Sequence, residues 1–213
     1  MRRLNMYPNK ARGTLITFCG LDGCGKTTMI KRLASTLKDD HSVYLTKQPT
    51  DFVRKSDIFR TYMDTPNHTA FDYRSLSLLA ASDRIQHTNK TILPEIDMGK
   101  TVISDRYFYS CLANLHARGY TEDAWIYEIA ESIVKPDLAF FLDVPVEIAI
   151  QRVRSRPEER DRYIDIGLQH RLRSEYLEIC KANDGILLST EEPTENTFDR
   201  ILSAVNHYLG KKL

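Results

Sequence analysis

The chain has 213 residues, 42% hydrophobic and 28% charged, with 30 Lys and Arg against 29 Asp and Glu for a net charge of +1. That balance excludes a strongly basic nucleic-acid binder and an acidic disordered chain, and it fits one soluble α/β domain with its own core. No apolar run reaches the length of a membrane span and no signal peptide is visible, so a cytoplasmic protein is expected.

Residues 1–13 are polar and basic, with Arg2, Arg3, Lys10 and Arg12, and read as a flexible, frayed tail. One domain is expected over 14–213. Leu15-Ile16-Thr17-Phe18-Cys19 is an apolar run of strand length, and Thr28 to Leu37 has inward positions Ile30, Leu33, Ala34 and Leu37 at helical spacing. Between them stands Gly20-Leu21-Asp22-Gly23-Cys24-Gly25-Lys26-Thr27, which satisfies G-x-x-x-x-G-K-[ST]. In that pattern Gly20, Gly23 and Gly25 let successive N–H groups, those of Cys24 and Thr28 nearby included, converge on one anion. The helix adds its positive N-terminal end. Lys26 is placed to reach the β- and γ-phosphates of a nucleotide, and the Thr27 hydroxyl to ligate Mg²⁺.

Ser42 to Thr46 reads as a second strand, stopped at Pro49, and residues 52–63 as one short helix. Thr65-Pro66-Asn67-His68 is a turn. A long helical pattern follows from about Phe71 to Ile92, with Asp83 and Arg84 near the end of its apolar face, either as a surface rim or as part of a pocket. Thr101 to Ser104 is a third strand with Asp105-Arg106-Tyr107 at its end, then helices at about 108–117 and 122–134. Leu138 to Val144 is a fourth strand, 146–154 and 166–182 are helical, Gly185 to Leu188 is a fifth strand, and 195–209 is the last helix. Strands alternating with helices predict a five-stranded parallel sheet with helices on both faces. Ligands then belong at the carboxyl ends of the strands, where the phosphate loop, Lys47, Asp105 and Arg106 fall. Asp105 suits a carboxylate near Mg²⁺, and Arg106 suits bidentate phosphate binding. Arg152, Arg154, Arg156, Arg160 and Arg162 crowd a segment broken by Pro157, which reads as a lid at about 152–163 whose arginines, Arg152, Arg154 and Arg156 first, neutralise a transferring phosphoryl group.

The chain resembles the thymidylate kinase family of nucleoside monophosphate kinases over roughly residues 14–209. The matching stretches are Gly20 to Thr28, Thr46-Lys47-Gln48-Pro49, Leu78 to Arg84, Val102 to Tyr107, Lys135 to Leu138, Leu142 to Pro145 and the arginines at 152–156. The resemblance implies Mg²⁺–ATP as donor, dTMP as acceptor and a homodimer whose partners are nucleotides rather than nucleic acid or membrane. It assigns Asp22 to the sugar 3′-hydroxyl, Arg106 to the acceptor phosphate with Arg60 as a loose second match, Arg84 to the thymine edge, Asp105 to the metal, and Lys47 and Tyr107 to the acceptor site. Three departures stand out. Ala80 occupies the place of a phenylalanine that stacks on thymine, leaving Tyr107, Phe108 and Tyr109 as candidates to stack instead. Ser110-Cys111-Leu112-Ala113-Asn114-Leu115 replaces S-S-x-A-Y-Q, and Lys47-Gln48 replaces Arg-Glu. A kinase of another monophosphate and a nucleotide-binding switch are the alternatives. A guanine-specific switch would carry N-K-x-D, and Asn89-Lys90-Thr91-Ile92 lacks its aspartate. A kinase of free nucleosides would want a carboxylate base where Lys47-Gln48 stands. The cysteines Cys19, Cys24, Cys111 and Cys180 form no Cys-x-x-Cys pair and read as reduced thiols.

Overall fold

The computed structural model describes residues 2–64 and 70–212; the turn expected at Thr65–His68 lies outside them. In chain order the elements are β1 (Thr14–Cys19), α1 (Lys26–Leu37), β2 (Val43–Lys47), α2 (Asp51–Arg54), α3 (Asp57–Asp64), α4 (Tyr73–His87), a π-helical turn (Thr88–Ile92), α5 (Leu93–Asp97), β3 (Thr101–Asp105), α6 (Tyr109–His116), α7 (Trp125–Ala130), β4 (Leu138–Asp143), α8 (Val146–Arg154), a 3₁₀ turn (Pro157–Glu159), α9 (Ile166–Ala182), β5 (Ile186–Ser189) and α10 (Thr194–Lys212). The strands form one parallel sheet in the order β2-β3-β1-β4-β5. Every residue of β1 is buried. Because successive side chains point to opposite sides of a strand, helices must cover both faces, as the apolar run predicts. The register sets Asp105 beside Phe18 of β1 and Lys47 of β2, so three strand ends deliver their residues to one spot.

Three boundaries differ from expectation, each for an identifiable reason. The single helix expected at 52–63 is two, because Ser56 starts a new one: its Oγ accepts from Phe59 N (3.3 Å) and donates to Val53 O (2.7 Å). The helix expected to run to Ile92 passes into a π turn in which Leu93 N donates to Thr88 O. Pro94 follows at once; it has no N–H for the carbonyl four residues back, and its ring crowds that carbonyl. The helix expected at 122–134 stops at Ala130, since Ile133 O accepts from Tyr7 N (3.1 Å) and Val134 bridges Tyr7.

That last contact corrects the frayed tail. Residues 2–7 alternate exposed and buried positions, and Leu4 and Met6 are 3% and 7% exposed. Leu4 N donates to Asn183 Oδ1 (2.9 Å), Lys135 N to Tyr7 O (2.6 Å), and Arg3 pairs with Asp184 (2.5 Å). The basic residues are the outward half of a strap whose inward half completes the core. The period-two alternation of Leu4 and Met6 was the available signal.

Candidate active site

The phosphate loop leaves β1 at Gly20, with φ of 136°, and passes Gly23, with φ of 85°. A Cβ at Gly20 would lie 2.3 Å from Leu142 O and one at Gly23 2.2 Å from Ala149 O, so both conformation and packing demand glycine. Lys26 opens α1 and folds back under the loop: its Nζ donates to Leu21 O (2.7 Å) and Gly20 O (3.1 Å), and it is 6% exposed. Its charge is thus fixed beneath the loop amides, while Thr27 and Thr28 face outward into a cleft of about 740 Å³ that runs across the strand ends.

Arg106 stands at the middle of that cleft in a left-handed backbone conformation, φ 70°, which costs a non-glycine residue about 1–2 kcal/mol. Hydrogen bonds hold it there: Arg106 N donates to Phe18 O (2.8 Å) and Ser104 Oγ donates to Arg106 O (2.7 Å). The turn aims the guanidinium back across β1, onto Gly20 O (3.2 Å), the Tyr176 hydroxyl (3.0 Å) and Asp22 Oδ1 (2.5 Å). Arg162 approaches the other Asp22 oxygen at 3.4 Å. Burial opposes the Asp22 charge, but Arg106, Lys26 and Arg162 outweigh it and hold the carboxyl well below the usual carboxylate range. Beside this cluster, Asp105 Oδ1 is buried with no hydrogen-bond partner among the described residues, and Lys47 Nζ lies 4.0 Å from the other oxygen. An orphaned, buried carboxylate oxygen on a residue that lines the same cleft as Thr27 is a fit for a hard divalent cation.

The far end of the cleft lies between α3, α4 and α6. Arg84 is 3% exposed and donates from Nη1 to Ala80 O (2.9 Å) and from Nε to Tyr107 O (3.4 Å). Asp83 is not part of a rim: it accepts from Thr50 N (2.9 Å) and from the Thr50 hydroxyl, tying α4 to the loop after β2. His87, one turn on, bonds Thr46 Oγ1 (2.8 Å) and Gln48 Nε2 (3.0 Å) and anchors the same loop. Aromatic wall is supplied by Phe59, Tyr62 and Tyr73, the last two packed edge to face at 5.1 Å.

Residues 18–201 match the family model described as thymidylate kinase. The chain belongs to the thymidylate kinase family. A probable thymidylate kinase of Thermococcus kodakarensis is 34% identical over 91% of this chain and 97% of its own length. One from Pyrococcus horikoshii is 35% identical over 93% and 98%, and a thymidylate kinase of Onion yellows phytoplasma is 31% identical over 87% and 93%.

Against the thymidylate kinase motifs, the structure brings Asp22, Lys26, Thr27, Lys47, Arg60, Arg84, Asp105, Arg106 and Arg156 to one cleft. It does not bring Tyr107. Its ring, with those of Phe108 and Tyr109, is fully buried, and its hydroxyl donates to Val134 O (2.7 Å), so none of the three stacks on a base. The strand end turns at Arg106, and the next three residues drive inward as the start of α6. Arg152 is held on the loop after β5, donating to Thr190 O (2.9 Å) and Oγ1 (3.3 Å), and Arg154 is exposed outside the cleft. Both belong to α8, whose direction is set by Val146, Ala149 and Val153 facing the core. The arginine that reaches the loop is Arg162, braced by Glu159 at 3.0 Å. Arg54 was not foreseen. It lines the cleft with its Nε on Pro49 O (2.8 Å), and burial followed by Arg106 lowers its pKa. A cation one short helix past a strand's carboxyl end was its only trace in the sequence.

Proposed function

We propose that the chain transfers the γ-phosphoryl group of ATP to dTMP, giving ADP and dTDP. An oxygen of the acceptor phosphate attacks the γ-phosphorus as the bond to the β-bridging oxygen breaks. The acceptor phosphate is already anionic near neutral pH, so the chain needs no general base and works by positioning and charge neutralisation. The loop amides and Lys26 hold the donor phosphates. Thr27 and Asp105 would hold Mg²⁺, which would supply positive charge against the phosphate oxygens. Arg106 and Arg54 hold the acceptor phosphate, Asp22 accepts from the sugar 3′-hydroxyl, and Arg84 donates to the base. Arg162 and Arg156 meet the charge that develops on the transferring group, where contacts of this kind contribute about 10²–10³ in rate.

The observation that carries this reading is the cleft itself: a phosphate loop at one end, a pocket of aromatic and arginine side chains at the other, and the Asp22–Arg106 pair between them. The names of its relatives support dTMP as acceptor. Exposed Leu78 on α4 supports pairing of two copies through that helix, in a cytoplasmic homodimer whose ligands are nucleotides. Among the described residues no helix is long and apolar enough to cross a membrane. A panel of nucleoside monophosphates with ATP, scored by diphosphate formed, tests the proposal. dTMP is expected to be the preferred acceptor, with little ATP hydrolysed in its absence. Efficient use of a purine monophosphate without dTMP turnover would refute it, and acceptor-independent hydrolysis would favour a switch.

A further inference from the structure

Ser110, Cys111, Asn114 and Arg118 recur at spacings of one, three and four, so they form one stripe along and just beyond α6, facing the cleft. Arg84 sits at the Cys111 end of that stripe. Arg118 closes the other end, and three contacts fix its guanidinium. Its carbon lies 3.9 Å from the centroid of the Tyr73 ring, and Nη1 donates to Asn114 Oδ1 (2.9 Å) and Asn114 O (3.1 Å). Asn114 is itself held in place, since its Nδ2 donates to Ser110 O (2.9 Å), so its amide orients Arg118. Nε and Nη2 of Arg118 donate to no group among the described residues and remain for whatever enters this end.

We propose that Arg118 is a specificity-determining residue that, together with Arg84, selects a 2,4-dioxopyrimidine base. The inference rests on the acceptor being a pyrimidine monophosphate. Two fixed guanidinium groups at the two ends of one cleft-facing stripe present only donors. Thymine and uracil offer carbonyl oxygens on both sides of N3, whereas cytosine sets an amino donor against one of the two arginines. A donor facing a donor leaves both unpaired in a desolvated pocket, which is how buried polar sites reject a near-isostere.

The test is steady-state kinetics of the full chain and of Arg118→Met with dTMP, dUMP and dCMP. The methionine keeps the stem and removes the donors. The expected result is a dTMP KM raised roughly 5- to 150-fold, the scale of one lost bidentate base contact, with kcat little changed and the preference for dTMP over dCMP reduced by a similar factor. Equal increases in KM for dTMP and dCMP would mean that Arg118 only braces Tyr73, and would overturn the inference, as would unchanged kinetics. Wild-type enzyme with 2-thio- and 4-thio-dTMP gives a second reading that needs no variant: both analogues should bind more weakly, because sulfur accepts hydrogen bonds poorly. A loss with only one of them leaves a single arginine reader and refutes the pair. Absence of dTMP turnover by the wild type would instead remove the thymidylate reading itself, an outcome distinct from all of these.

Discussion

His87 is predicted to control the stability of the acceptor site. It is 8% exposed and its partner Gln48 is fully buried. The His87→Ala variant removes the bonds to Thr46 (2.8 Å) and Gln48 (3.0 Å). Gln48 Oε1 already lacks a partner among the described residues, so the variant leaves the buried amide without a partner among them. Two lost bonds at about 1 kcal/mol each, with the cost of orphaning Gln48 Nε2, come to roughly 2–4 kcal/mol. For a chain of this size that lowers Tm by about 5–15 °C. Lys47 and Pro49 line the cleft on either side of Gln48, so the KM for the acceptor should rise as well. The pH dependence has a definite sign. As the amide is oriented, Gln48 Nε2 donates to Nδ1, and the ring proton therefore sits on Nε2 and is given to Thr46. Protonation would set Nδ1–H against the Gln48 NH₂ group. Burial lowers the His87 pKa first; on its own helix Arg84 adds to this and Asp83 opposes it, while the facing groups from β2, Thr46 and Gln48, are neutral. The unfolded chain, with His near 6.5, therefore binds the proton more readily than the folded one. Stability from this residue is full above about pH 6.5 and declines as pH falls below it. Thermal melts of wild type and His87→Ala across pH 5–8, with acceptor KM at each pH, check this. A Tm within about 2 °C of wild type, or the same acid slope in both proteins, would refute the reasoning.

Two further outcomes follow from the donor side and the lid. Lys26→Ala should lower kcat by about 10²–10³ while the protein stays folded, measured by coupled ADP release and circular dichroism; near-normal turnover would remove the phosphate loop from the mechanism. Arg162→Ala should lower kcat more than it changes acceptor KM, whereas Arg154→Ala should leave both near wild type, because of these two Arg162 reaches Asp22 and Arg154 is exposed outside the cleft.

The donor half of the site was legible because its chemistry is written in consecutive residues. Gly20 to Thr28 fixes a loop whose backbone does the binding, and the loop's φ angles and close approaches admit nothing else at Gly20 and Gly23. The strands were legible for a related reason: β1 and β4 are covered on both faces, so they read as near-continuous apolar runs, and β3 keeps Val102 and Ile103 buried at its centre. What escaped was decided by contacts between distant segments. Tyr7 bridging Val134 and the choice of Arg162 over Arg154 each depend on where a second element passes. Local periodicity does not carry that information.

The base half shows this most clearly. Ala80 leaves a ring missing, and the nearby rings Tyr107, Phe108 and Tyr109 cannot replace it because the turn at Arg106 sends all three into the core. The rings that line the vacated space are Tyr62 and Tyr73, which come from α3 and the first turn of α4. Leu115, in place of a family glutamine, is likewise fully buried and does not line the cleft. Arg118 lies three residues beyond it, on the cleft-facing stripe, stacked on the same Tyr73. Where the aligned motifs have a ring and a glutamine, the cleft has an edge-braced Tyr73 and a clamped Arg118. Each comes from a position other than the aligned one, which is why aligned motifs register the losses and only the assembled helices register the gains.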